Sequence, residues 1–113
     1  MLDSVVTVAL TSALNGLSLR QRAIADNIAN VNTPGYTAQR VKFEDALAES
    51  VSRRDGNVTA TTERSLEPTQ LNGNNVNLDT ETLSNIETVL RYQFAAQAVN
   101  GEFTAMRTVL KGQ

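Results

Sequence analysis

The sequence contains no cysteine and no histidine among its 113 residues. These two absences remove disulfides, reactive thiols, the usual zinc and haem ligands and the commonest general base. Carboxylates, hydroxyls and two lysines remain, and no glycine-rich phosphate loop organises them. The sequence therefore predicts no catalytic residue, no cofactor, no metal site and no small-molecule substrate, so we do not expect an enzyme.

A strong charge of either sign is also lacking. Ten Lys and Arg stand against 12 Asp and Glu, a net charge of -2, which gives no electrostatic reason to expect nucleic acid as a partner. The longest apolar stretches are interrupted well before the roughly 20 residues that a bilayer span requires. The first 19 residues show neither a basic segment nor a small-residue cleavage site, so we expect no cleaved signal peptide.

The sequence does have a stripe of apolar residues near each end, in the steps of three and four that are typical of paired helices. The N-terminal stripe, interrupted only at Gln21, comprises Leu10, Leu14, Leu17, Ile24, Ile28 and Val31. The C-terminal stripe comprises Val89, Tyr92, Ala96, Val99, Phe103, Met106 and Leu110. We predict that the two stripes form the seam between long helices over residues 4–31 and 80–110.

Helices of these lengths would measure roughly 42 and 46 Å at 1.5 Å per residue. A compact domain of this size has a radius of gyration of only about 13 Å. The predicted fold is therefore mainly α, with two long terminal helices in an elongated, coiled-coil-like hairpin. A short helix and an irregular or β-hairpin segment form its middle.

Local signals divide the chain into four segments, with a long helix and turn at 1–36, a short helical segment at 37–54, a polar linker or hairpin at 55–77 and a second long helix at 78–113. Pro34-Gly35 suits a type II turn that ends the first helix. A short helix is expected over 40–52, where Glu44-Asp45 favours its start. Asp79 is expected to cap the last helix.

Two further rows are expected to remain in water once the seam forms. On the last helix the row is Leu83, Leu90, Phe94, Ala98, Gly101 and Ala105, and on the first helix it is Val5, Ala9, Gly16 and Ala23. An exposed surface of that size usually marks an interaction site.

The segment 25–36 reads ADNIANVNTPGY, which resembles the N-terminal motif of the bacterial flagellar axial proteins, the rod and hook family. The residues that carry this expected assembly motif are Asn27, Asn30, Asn32, Thr33, Pro34, Gly35 and Tyr36. The sequence GNNVNLD at 73–79, followed by LRYQ at 90–93, narrows the resemblance to the proximal rod proteins. The resemblance covers roughly residues 1–50 and 73–111.

This resemblance implies a structural subunit of the flagellar basal-body rod that assembles helically in the periplasm, after export without a cleaved signal peptide. The implied partners are other copies of the chain, other rod proteins, the flagellar export apparatus and an adaptor to the MS ring. Two alternatives stay open, another short rod protein and a coiled-coil adaptor or export chaperone. The last would form a small closed oligomer instead of an open stack.

Overall fold

The structure is a computed structural model that describes the backbone of residues 2–112 and the side chains of residues 5–112. Its elements are, in order, α1 (Leu2–Ala29), β1 (Gln39–Lys42), α2 (Glu44–Ser52), β2 (Thr61–Arg64) and α3 (Leu78–Lys111). The molecule measures 67 × 25 × 14 Å and has a radius of gyration of 17.6 Å. The predicted elongated, mainly α fold is confirmed.

The two long helices run antiparallel along the molecule. Asn27, near the end of α1, is hydrogen-bonded to Glu81 in the first turn of α3. At the other end of the molecule, Thr7 and Met106 line the same hollow. The chain is therefore a helical hairpin whose two ends are chemically different. We call the end with Asn27 and Glu81 the junction end, and the other the open end.

The face that α3 turns toward α1 is made largely of small and polar residues. The buried or half-buried positions are Glu81, Ser84, Thr88, Val89, Ala95, Ala96, Val99 and Glu102. Because successive residues are about 100° apart around a helix, Glu81, Ser84, Thr88, Ala95 and Glu102 lie between the seam stripe and the row that contains Leu90 and Phe94, while Val89, Ala96 and Val99 belong to the seam stripe. The single chain thus covers this strip and part of the seam stripe, and leaves the row of Leu90 and Phe94 and the C-terminal part of the seam uncovered.

The middle of the chain packs on another side of α1. The Phe43 ring lies so close to Gly16 that a Cβ atom there would come within 2.8 Å of three ring atoms. The Ser12 hydroxyl donates to the carbonyl oxygen of Gly56 at 2.8 Å and accepts from the Val58 amide at 3.1 Å. Together with Leu17, Ala23 and Val41, Phe43 forms the hydrophobic core.

This packing corrects the prediction that the small-residue row of the first helix stays in water. A Cβ atom on Gly56 would lie 2.9 Å from the Val5 carbonyl oxygen and 3.1 Å from the Ala9 amide. Gly16 and Ala23 are buried. The small side chains let the middle segment approach the helix closely, and so this row serves the interior of the single chain.

The predicted short helix over 40–52 is also corrected. Residues 39–42 form β1, and α2 begins only at Glu44. Val41 and Phe43 are buried while Lys42 between them is exposed. That two-residue alternation is the pattern of a strand on a packed surface, and it was hidden in the sequence by the helical spacing of Phe43, Leu47 and Val51.

Strand β2 lies in the segment for which the sequence left a linker or a hairpin open. It pairs antiparallel with β1, with Val41 opposite Thr62. The predicted cap of the last helix is wrong by two positions. Asn77 is the N-cap, and its side-chain oxygen accepts from the amides of Asp79 and Thr80 at 2.9 and 3.3 Å. Asp79 lies inside the first turn.

Candidate assembly site

Asn27 is the centre of the junction end. Its side chain is fully buried, and its Nδ2 donates to the Gln39 carbonyl at 3.0 Å and to Glu81 Oε1 at 3.1 Å. Its Oδ1 accepts from the Gln39 amide at 2.8 Å and from the Tyr36 hydroxyl at 3.2 Å. An amide offers two donors and two acceptor lone pairs, so every hydrogen-bonding position of Asn27 is used.

A second buried asparagine fixes the end of α1. Asn74 Nδ2 donates to the carbonyl oxygens of Asn30 and Thr33, both at 2.8 Å. Asn30 in turn donates to the Asp26 carbonyl at 2.8 Å and accepts from the Thr33 hydroxyl at 3.0 Å. The two carbonyls also accept the backbone amides of Thr33 and Tyr36, so the turn that follows α1 is held both locally and by a residue more than 40 positions away in the sequence.

The turn at Pro34-Gly35 has the predicted type II geometry. Gly35 has φ of +75°, and the Tyr36 amide donates to the Thr33 carbonyl at 3.3 Å. The Gly35 amide also donates to the Asn72 carbonyl at 2.8 Å. A Cβ atom on Gly73 would lie 3.3 Å from Gly35 Cα, so two glycines allow the turn and the loop before α3 to meet.

A fully buried carboxylate joins the pieces. Glu81 Oε1 lies 2.6 Å from Arg40 Nη1 and also accepts from Asn27. Arg40 Nη2 faces Glu67 Oε2 at 3.6 Å, which is an ion pair longer than a hydrogen bond. Glu81 Oε2 receives no hydrogen bond from the described side chains or backbone. The first turn of α3 is thus held against α1 by a hydrogen bond from Asn27 and against β1 by an ion pair with Arg40.

Tyr36 keeps its proton in this environment. Burial, and then the negative charges of Asp26 and Glu81, raise the pKa of its hydroxyl. The neutral hydroxyl can therefore donate to Asn27 Oδ1 throughout the physiological range of pH. Of the remaining motif residues, Asn30 is half-buried, while Asn32, Thr33, Pro34 and Gly35 are exposed at the surface of the junction end.

The predicted seam residues divide by their exposure in the single chain. Leu17 and Ile24 are buried, whereas Leu10, Leu14, Val31, Val89, Ala96 and Val99 are half-buried. The remaining seam residues, Ile28, Tyr92, Phe103, Met106 and Leu110, are exposed, from 37% at Tyr92 to 76% at Leu110. Leu17 is buried in the core with Val41 and Phe43 of the middle segment, and the predicted seam residues on the C-terminal part of α3 are exposed, so the pairing of the two stripes stays a prediction.

The second row on α3 is uncovered along its whole length. Leu83 is 61% exposed, Leu90 52% and Phe94 72%, and Ala98, Gly101 and Ala105 are also exposed. We call these six residues the α3 flank. Monomeric proteins rarely expose so long a continuous apolar row, which agrees with its predicted role as an interaction surface.

Sequence reasoning missed several residues that position this site. Asn74, Asn75 and Glu81 are buried and bonded, yet the sequence singled out none of them individually: the two asparagines appear only inside the GNNVNLD segment that carries the resemblance. The two consecutive asparagines before α3 are the sequence signal that could have indicated buried side chains hydrogen-bonded to other segments. Glu44 forms ion pairs with Arg20 at 2.5 Å and with Arg91 at 3.1 Å. These partners are 24 and 47 positions away in the sequence, so no local pattern predicts the pairs.

Neither a metal centre nor a membrane span is apparent in the described part of the chain. Among the side chains of residues 5–112, no group of acidic residues could hold a metal ion. None of the helices described combines the length and the apolar character needed to cross a bilayer. The features that are present, a bonded helix junction and long exposed apolar rows, define a structural subunit that is completed by neighbours.

Comparisons with known proteins agree with this class. The sequence profile of the family described as "Flagella basal body rod protein" matches residues 9–37, which include most of α1 and the whole asparagine turn. The flagellar basal body rod protein FlgB of Bacillus subtilis is 32% identical over 120 residues, with 91% of each chain covered. FlgB of Escherichia coli K12 is 33% identical with 88% of each covered, and FlgB of Aeromonas hydrophila 26% with 89% of each.

The chain belongs to the flagellar basal body rod protein family, and within it to the FlgB type. It is a structural subunit of the bacterial flagellar rod and assembles with other rod proteins in the basal body. The resemblance read from the motif at 25–36 is thereby confirmed, and the two alternatives, another short rod type and an adaptor or chaperone, are not favoured.

Proposed function

We propose that the subunit stacks helically in the proximal rod through two surfaces, the open part of the predicted seam and the α3 flank. The observation that carries this proposal is the exposure of α3, whose flank and C-terminal seam residues, such as Phe94, Phe103 and Leu110, stay 51 to 76% exposed in the single chain. Neighbouring subunits would bury what α1 leaves uncovered. The motif from Asn27 to Tyr36 would fix the direction in which the chain leaves the helix pair.

The four segments have separate roles in this proposal. Segments 1–36 and 78–113 supply the assembling helices, and segments 37–54 and 55–77 brace α1 and tie its end to the start of α3. Ser12, Gly16 and Asn27 on α1 all contact the middle of the chain. The middle would thus keep the hairpin rigid enough to stack.

The resemblance to the axial family extends the proposal to partners and location. The subunit would pass through the flagellar export apparatus without a cleaved signal peptide, reach the periplasm, and join an adaptor to the MS ring as well as further copies of itself. It would act without catalysis and without a cofactor. The absence of His and Cys from the sequence supports that part of the proposal.

A pair of charge substitutions on α3 tests the stacking surface. Phe94→Asp places a carboxylate on the α3 flank at a residue that is 72% exposed in the single chain, so the subunit itself should still fold. Burying an unpaired charge in a contact with a neighbour costs several kcal/mol. We expect few complete rods in purified basal bodies and little or no swimming.

Asn100→Asp is the matched control, because Asn100 is exposed on the same helix but lies on its polar face. It should leave both rod yield and swimming close to normal. Phe103→Asp should act like Phe94→Asp if the open part of the seam is also buried between subunits. Normal swimming with both phenylalanine variants would contradict stacking through these rows.

A further inference from the structure

Asparagine is followed by glycine at three places in the chain, Asn15-Gly16, Asn72-Gly73 and Asn100-Gly101. In such a pair the glycine nitrogen can attack the Cγ atom of the asparagine, because no side chain on the second residue shields that nitrogen. The attack converts the asparagine to an acidic residue, and asparagine is one of the thermolabile residue types. All three asparagine side chains are exposed to water, so the backbone around each pair decides which of them reacts.

Two of the pairs are protected by helices. Asn15-Gly16 lies within α1 and Asn100-Gly101 lies within α3. In a helix the bond from Cα to Cβ points back toward the N-terminus, which directs the asparagine side chain away from the glycine that follows it. The glycine amide also belongs to the helical hydrogen-bond ladder, and opening the interior of a helix requires several residues to unfold together. The two helical asparagines should therefore react slowly while the chain is folded.

The third pair, Asn72-Gly73, lies in the loop before α3, and its asparagine side chain points forward along the chain. Asn72 Oδ1 accepts a hydrogen bond from the Asn74 amide at 3.1 Å, which turns the side-chain amide toward the Gly73 nitrogen between them. The same hydrogen bond draws electrons away from Cγ, and it would stabilise the negative charge that develops on Oδ1 during an attack. The side chain is therefore both oriented and polarised for reaction with Gly73.

The glycine nitrogen of this pair is held by a single turn. The Gly73 amide donates to the Gln70 carbonyl at 2.9 Å, and residues 70–72 of the turn are all exposed. Breaking that one hydrogen bond frees the nitrogen for attack and gives its proton access to water. Exposed turns open at a much lower free energy than helix interiors do, so this amide becomes available without unfolding of the chain.

We propose that Asn72 is a deamidation site of the folded subunit and that it reacts through a cyclic imide formed with Gly73. The Gly73 nitrogen forms a bond to Asn72 Cγ and loses its proton, while the side-chain nitrogen gains a proton through solvent and leaves as ammonia. Water then opens the imide at one of its two carbonyl carbons. Opening at Cγ gives aspartate, and opening at the main-chain carbonyl carbon gives isoaspartate.

The isoaspartate product would change the junction end. In the unmodified chain the Asn72 main-chain carbonyl accepts from the Gly35 amide at 2.8 Å. In isoaspartate this carbonyl becomes a free carboxylate, and the backbone continues through Cγ with one additional methylene group. Asn74, which bonds to the carbonyls of Asn30 and Thr33, follows directly and would be displaced. The modification site is therefore coupled to the turn that ends α1.

Peptide mapping by mass spectrometry tests the site, since deamidation replaces NH2 by OH and changes the mass of one peptide. In the purified chain, kept folded in mildly alkaline buffer, Asn72 should deamidate at least about tenfold faster than Asn15 or Asn100. In concentrated urea, which unfolds both helices, the three sites should react at similar rates because each precedes a glycine. The control Asn72→Gln should show no reaction at position 72, since its longer side chain closes the ring far less readily. Equal rates at the three sites of the folded chain, or a faster reaction at either helical site, would overturn the proposal.

The separated products test the coupling to the junction end. The isoaspartyl form should unfold at a lower urea concentration than the unmodified chain, because its backbone no longer fits the turn. Asn72→Asp carries the same added charge on an unaltered backbone and can still accept from the Asn74 amide, so it should unfold close to the unmodified chain. Equal unfolding midpoints for the isoaspartyl form and Asn72→Asp would overturn the coupling between this site and the turn that ends α1.

Discussion

At the scale of single residues, buried asparagines hold the segments of the junction end together, a role that apolar side chains have in most small domains. Asn27, Asn74 and Asn75 are each 5% exposed or less, and each is bonded to backbone atoms of a different segment. A buried amide is tolerated only when its donors and acceptors are paired. These side chains therefore specify one arrangement of the turn, β1 and the loop before α3.

Replacing Asn27 with Asp tests this specification. The substitution keeps the shape of the side chain, removes both donors and places a carboxylate 3.1 Å from Glu81. A buried charge without compensation costs about 3 to 5 kcal/mol, so we expect a large fall in the free energy of unfolding measured by urea titration. Asn32→Asp, on an exposed residue of the same motif, should change it by no more than about 0.5 kcal/mol. Equal losses in the two variants would show that the buried amide has no special role.

At the scale of elements, the approach of the middle segment to α1 depends on small residues in the helix. Gly16 lies inside α1, where glycine normally costs stability relative to alanine. Its hydrogen atom faces the Phe43 ring, and that ring is 5% exposed with the Arg20 guanidinium 5.0 Å from its centre. The ring therefore has little room to move away from a larger neighbour.

Two glycine-to-alanine changes separate the cost of glycine inside a helix from the benefit of the close approach of Phe43. Gly16→Ala should destabilise the chain by about 1 to 3 kcal/mol, because the new methyl group overlaps the Phe43 ring. Gly101→Ala, inside α3 with open space around the glycine, should stabilise the isolated chain by about 0.5 to 1 kcal/mol. Thermal or urea unfolding measures both. A gain of stability at position 16 would show that Phe43 can repack without loss.

Some elements could be predicted from the sequence and others could not. The heptad stripes predict both long helices, and the Pro34-Gly35 pair predicts the turn, because each signal lies within a few residues of what it specifies. The sequence predicts helix where strand β1 lies. In so short a segment, the spacing of Val41 and Phe43 is compatible with both the helical and the two-residue strand period. The sequence predicts the helix cap at Asp79, whereas the structure has it at Asn77. Asn and Asp are both good N-cap residues, and only the backbone conformation at each position distinguishes the cap from the first turn.

The contact face of α3 could not be read from periodicity either. Its most buried residues are Glu81 and Thr88, and a polar residue becomes a buried one only where partners from other segments meet it. The exposed residues of the apolar rows, among them Leu90, Phe94 and Phe103, mark surfaces that the single chain leaves uncovered. In a chain that assembles, an apolar stripe includes residues that pack within the subunit and residues that pack against neighbours. The sequence alone does not distinguish the two groups.

At the scale of the whole molecule, one carboxylate connects three helices. Glu44 at the start of α2 is bonded to Arg20 of α1 through both oxygens, at 2.5 and 2.7 Å, and to Arg91 of α3 at 3.1 Å. The hydrogen bonds from Arg20 lower the pKa of Glu44 below its ordinary value of 4.5, although partial burial opposes the shift. The charged form is thus favoured in the folded chain.

This connection predicts a specific sensitivity to acid. A lowered pKa means that the contribution of Glu44 is fully present above its ordinary pKa and is lost as the pH falls through the lowered value. Glu44→Gln should therefore be less stable than the natural chain at pH 7 and should lose less stability on acidification below pH 4.5. Unfolding midpoints measured across that range give the comparison, with Glu49→Gln on the exposed face of α2 as the control. Parallel pH profiles for the natural chain and Glu44→Gln would contradict the prediction.

The span of the hydrogen bonds at the junction end also sets the order in which the chain can fold. Asn27 is completed by Gln39 and Glu81, and the end of α1 is bonded by Asn74. When the chain emerges from a ribosome or a channel with its N-terminus leading, α1 comes out well before these partners, and the bonds at its end are complete only once residue 81 has followed. Vectorial folding is thereby postponed until about three quarters of the polypeptide is free, and the rigid hairpin forms late, near the place where the chain is released.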